Sequence, residues 1–116
     1  MLADAHREKA LRIEQSMADL GDPVLKPHIV EAVIELSWAA AFQWIAVGCQ
    51  QKHGKHKENH HHLVSYLNDI GEPTISQAWD AMEKVRAGGF YGSQATLENV
   101  ERATRLLQEI RVWALS

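Results

Sequence analysis

The sequence predicts an all-α, up-and-down bundle of about five helices with a long buried central helix, and three observations carry that expectation. Apolar residues recur at spacings of three and four in successive stretches, the period that lines one side of a helix. One stretch, Ile29 to Val47, is apolar in nearly every direction from Leu36 onward, as expected of a helix surrounded by others. Glycine and proline fall between these stretches, where helices end.

The first helix carries Leu2, His6, Ala10, Ile13, Met17 and Leu20 on one side and ends near Leu20, at Gly21-Asp22-Pro23. The second begins between Val24 and His28, with Pro27 tolerated in its first turn, where the missing amide has no helical partner. It is the central rod, and Gly54 is placed to close it in a left-handed conformation. A short third helix is expected from about Asn59 to Ile70, with Leu63, Tyr66, Leu67 and Ile70 inward, stopped by Gly71-Glu72-Pro73. Thr74 followed by Gln77 fits a capping box for a fourth helix with Ile75, Ala78, Trp79, Met82 and Val85 inward. Gly88, Gly89 and Gly92 around Phe90 and Tyr91 then predict a tight loop. Thr96 caps the last helix, whose inner face is Val100, Ala103, Leu107, Ile110 and Ala114. The tryptophans at 38, 44, 79 and 113 fall within or beside these faces and read as core.

At 116 residues, one domain spanning 1–116 with one continuous core is expected. A composition of 46% hydrophobic and 23% charged residues is that of a folded globular chain. The formal net charge of -3 argues against an overall positive coat, so any anion site must be local. Cys49 is the sole cysteine, which excludes an internal disulfide and suggests a reducing, cytoplasmic setting with a buried thiol. The charged start, with Asp4, Arg7, Glu8 and Lys9, is unlike a secretory signal. The uncharged run Leu36–Gln51 has 16 residues. As a helix it would reach only about 24 Å, short of a bilayer's hydrocarbon core, so no membrane span is expected.

Two segments are candidates for chemistry. From Lys52 to His62, eight of eleven residues are Lys or His, with Glu58 the only acid. Three readings are open there: a solvated interhelical loop, an anion contact through Lys55, Lys57 and His61, or a metal site gathering His53, His56 and His60 at spacings of three and four. Because histidine titrates near neutrality, this segment's positive charge grows on mild acidification. The second segment is Arg86 to Gly92. Arg86 can clamp a phosphate with its planar donor fork, Gly88 and Gly89 allow close backbone approach, and the aromatic pair Phe90-Tyr91 can stack on a base. The plainer alternative has Arg86 on helix-end carbonyls, the glycines turning the chain and the aromatics plugging the bundle. Glu31 and Glu35, four apart, could support a carboxylate site but read as the polar edge of the central helix. No phosphate-binding glycine-lysine loop, serine nucleophile motif or cofactor motif is present.

In the order and spacing of its parts the chain resembles the HEPN (higher eukaryote and prokaryote nucleotide-binding) domain. The carrying residues are His61-His62-Leu63 with Tyr66-Leu67, then Val85-Arg86 through Tyr91-Gly92, and Thr96-Leu97-Glu98-Asn99-Val100-Glu101-Arg102-Ala103. Active ribonucleases of that family place a histidine four to six residues beyond an arginine, and dimerisation pairs two such sets. Arg86 matches the arginine, Tyr91 stands where the histidine belongs, and no histidine follows His62. Tyrosine, with an ordinary pKa of about 10, is a poor proton shuttle at neutrality. The resemblance therefore implies a noncatalytic, homodimeric binding or accessory module for a nucleotide, RNA or protein partner, in some cases a nucleotidyltransferase. Two alternatives stand beside it: a metal-independent ribonuclease pairing Arg86 with His61, and a structural dimerisation protein.

Overall fold

The computed structural model describes residues 2–91 and 95–116, the side chains of Phe90 and Tyr91 excepted. Its α-helices are α1 (Ala3–Leu20), α2 (Val30–His53), α3 (Leu63–Asp69), α4 (Pro73–Arg86) and α5 (Leu97–Leu115). A 3-10 turn at Pro27–Ile29 leads into α2, and a π-helical turn at Ala87–Tyr91 extends α4. The bundle measures 41 × 25 × 21 Å, and no strand occurs among the described residues.

The rod at the centre is α2, packed chiefly against α1 and α5 and also against α4. Ile34, Ala40, Ala41, Trp44, Ile45, Val47 and Cys49 are buried, in one cluster that runs from Ala10 of α1 to Ala114 of α5. By length and composition alone the helical stretch Pro27–His53 would cross a bilayer, yet 67% of its most apolar window is covered by the rest of the bundle. The inner faces expected for α4 and α5 are buried in full. Gly54 closes α2 in the left-handed region, φ 74°, with its amide donating to the Gln50 carbonyl.

Three boundaries differ from the expectation. The third helix begins at Leu63, because His60 to His62 form a turn and His62 takes a left-handed φ of 58° ahead of the first helical residue. Thr74 lies inside α4, which starts at Pro73 behind Glu72 with no side-chain cap; proline's preset φ opens the helix instead of a capping box. The glycine segment is helical, not a tight loop, as far as Tyr91. Gly89 is the reason: a Cβ there would come 2.7 Å from Ile34 Cδ1, so the bare backbone lets this turn press on α2.

A closer approach joins α2 to α5 at Gly48, where a Cβ would fall 2.3 Å from the Trp113 ring. That ring is held on two further sides. Its Nε1–H donates to Glu72 Oε2 at 2.8 Å, and Lys52 Nζ sits 5.7 Å from its centroid. Gly48→Ala should therefore destabilise the fold by about 1–3 kcal/mol, the usual cost of overpacking. In a Trp113→Leu background the same change should cost clearly less, as a double-mutant cycle of urea unfolding curves will show.

Candidate functional site

Arg86, at the end of α4, turns its guanidinium onto α2. Its Nε and Nη2 donate to Glu35 Oε2 and Oε1 of α2 at 2.8 and 2.9 Å, a two-pronged ion pair with both side chains under a third exposed. The guanidinium also lies 3.9 Å from the centroid of the Trp38 ring. This clamp fastens α4 to α2 and uses the donor fork that a phosphate would need. Glu35, read as the polar edge of α2, is the arginine's partner. Gly88 sits half-buried in the π turn, and Gly89 is buried against Ile34. The side chain of Tyr91 and all of Gly92 lie outside the described residues.

The lysine and histidine segment is dispersed among separate partners. His53 pairs with Glu72 at 3.2 Å, His60 with Glu83 at 3.4 Å, and His56 turns toward α1, where its Nε2 lies 3.1 Å from Nε2 of the buried His6. The trio of His53, His56 and His60, one of the three readings left open for this segment, is thus not brought together. His60 packs edge-on against Trp38, with ring centroids 5.0 Å apart, and His61 stacks on His60 at 4.6 Å. Arg86, Trp38, His60 and His61 form a continuous band of ring contacts. Lys57 donates to the His61 carbonyl at 2.6 Å, and Lys55 is exposed.

A concave surface lies elsewhere. Between α4 and α5 a groove of about 300 Å³ is lined by Ala81, Lys84, Val85, Asn99, Arg102, Arg105 and Leu106. Lys84 reaches Asp80 at 2.9 Å, whereas Arg102 and Arg105 make no salt bridge among the described residues. Both arginines are exposed. Sequence reasoning did not single out this groove, since its cations come from two helices and look like ordinary polar-face residues in each.

Cys49 is a free thiol buried in the core. Burial, with a smaller contribution from the Glu72 charge, pushes its thiol from 9.0 up to about 12. The neighbouring Tyr66 hydroxyl is also raised, chiefly by burial and then by the Cys49 charge, and its oxygen is buried without a partner among the described residues. No known protein family, curated protein or solved structure matches the chain.

Arg86→Ala should lower stability by about 1–2 kcal/mol, because Glu35 is left half-buried without its cation. Arg86→Lys should recover less than half of that, since an ammonium cannot reproduce the fork. Urea unfolding of the two variants measures both. Cys49 should react with a thiol reagent at pH 8 far more slowly in folded than in urea-unfolded protein. Its raised pKa contributes stability that is complete below about 9 and is lost as pH rises toward 12. Unfolding curves across that range should lose part of their slope with pH in Cys49→Ala.

Proposed function

We propose that the chain is a noncatalytic, HEPN-like binding module that takes a nucleotide or single-stranded RNA by its phosphates in the α4–α5 groove. The observation that carries this reading is the gathering of Lys84, Arg102 and Arg105 around one concavity in a chain of net charge -3, with Asn99 adding an amide beside them. Two arginines without acidic partners among the described residues supply planar donor forks suited to phosphate oxygens. The apolar stretch formed by Ala81, Val85 and Leu106 gives a base a surface to lie on. Homodimerisation and pairing with a nucleotidyltransferase belong to the same proposal and rest on the family resemblance alone.

The noncatalytic reading is preferred to a ribonuclease pairing Arg86 with His61. Catalysis by Arg86 would require it to release Glu35 and the Trp38 face at the moment of reaction, whereas Arg102 and Arg105 have no salt bridge to release among the described residues. Fluorescence anisotropy with a labelled single-stranded RNA, and calorimetry with ATP, test the binding directly. Arg102→Ala and Arg105→Ala should each weaken binding and reduce the slope of log affinity against log salt by about 0.7 for each phosphate no longer neutralised. The RNA should be recovered intact. A folded Arg102→Ala/Arg105→Ala double variant that binds RNA as tightly as the parent protein would remove the groove from the proposal.

A further inference from the structure

The contact between His6 and His56 holds more chemistry than a packed histidine pair requires. Their rings meet edge to face, with centroids 4.7 Å apart and the two Nε2 atoms 3.1 Å apart. Each ring turns its Nδ1 toward a glutamine amide oxygen. His6 Nδ1 lies 2.6 Å from Gln43 Oε1, and His56 Nδ1 lies 2.7 Å from Gln50 Oε1. An amide oxygen only accepts, so both Nδ1 atoms must donate. In the neutral rings the two Nε2 lone pairs then point into one small space.

Glu58 adds a third electron-pair donor to that space. Its Oε1 lies 2.9 Å from His56 Nε2, and its Oε2 lies 3.9 Å from His6 Nε2. One positive centre can serve all three donors. An extra proton on His56 Nε2 could lie on the line to His6 or on the line to Glu58, but not fully on both. A metal ion binds all three at once, and the donor atoms of the trio lie within 4.8 Å of one another.

We propose that His6, His56 and Glu58 bind one divalent transition-metal ion. Two imidazoles and a carboxylate suit zinc and its neighbours in the first row. The spacing fits as well: four-coordinate zinc with donors at about 2.0–2.1 Å separates those donors by roughly 3.3 Å. The two glutamines occupy the outer shell of a metal-bound histidine, accepting from Nδ1 so that Nε2 is presented to the ion. They stand seven residues apart, two turns along one side of α2, and so aim both rings from a rigid element. His6 is buried, His56 is 10% exposed and Glu58 is 58% exposed, so the remaining coordination position lies toward solvent. The ion fastens the segment 54–62 to α1.

The test uses untagged full-length protein freed of metal by chelation. Co2+ titration followed by visible ligand-field absorption, and Zn2+ competition against a chromophoric chelator, should each show one tight equivalent. His56→Ala and Glu58→Gln should lower the affinity at least about tenfold, and Gln50→Leu by about 10–100-fold. His61→Ala/His62→Ala should leave it unchanged, which separates the site from adventitious surface histidines. His6→Asn gives a second check on the buried ligand, with circular dichroism verifying that each variant is folded. Absence of a tight equivalent in the parent protein overturns the proposal. So does equal affinity in folded His56→Ala, or an affinity that follows His61 and His62.

Discussion

The packing of α1, α4 and α5 answers to the burial of α2. A 24-residue helix with apolar side chains around most of its circumference cannot be left facing water, and α1, α4 and α5 are spent covering it. That constraint also governs the polar groups. Ser37 is buried and returns its hydroxyl to the Val33 carbonyl within the helix. Gln43 is buried too and cannot satisfy its amide oxygen in that way, so it requires a donor from a neighbouring helix, and His6 of α1 supplies one. The histidine pair begins as the solution to a core problem.

Electrostatics follow the same geometry. Three glutamates tie the covering elements to the rod or to one another, each through an aromatic or a cation. Glu14 of α1 accepts from Trp44 of α2 and from Arg111 of α5. Glu35 holds Arg86, and Glu72, just ahead of α4, joins His53 of α2 to Trp113 of α5. These half-buried bonds need one particular docking of each helix, whereas apolar burial alone tolerates many. With so many charges committed to internal partners, the arginines left over on α5 define the local field more than the overall charge does.

The helices were legible because period and punctuation are local properties. The inner faces of α4 and α5, the Gly54 cap and the Thr96 cap follow from residues within a turn or two of each other. What was not legible depends on distance in sequence. Arg86 and Glu35 are 51 residues apart, and His6 and His56 are 50 apart, so spacing rules that search one helix at a time pair His56 with His53 and His60 instead. One signal was present: His6 recurs within an otherwise apolar face, and a buried histidine needs a polar partner. The glycine segment misled for a related reason, since glycine's low helix propensity was outweighed by the close contact of Gly89 with Ile34.

Residues 54–62 cover the end of α2 without a helix of their own. Apart from its chain ends, this segment is held by side-chain contacts at a few points, and His56 reaches into the α1–α2 seam. Detaching His56 would uncover His6 and strip a partner from Gln50 in the same movement. Fraying of α1 and lifting of this segment are therefore coupled through the His6–His56 contact, so amide hydrogen exchange would register the two opening together.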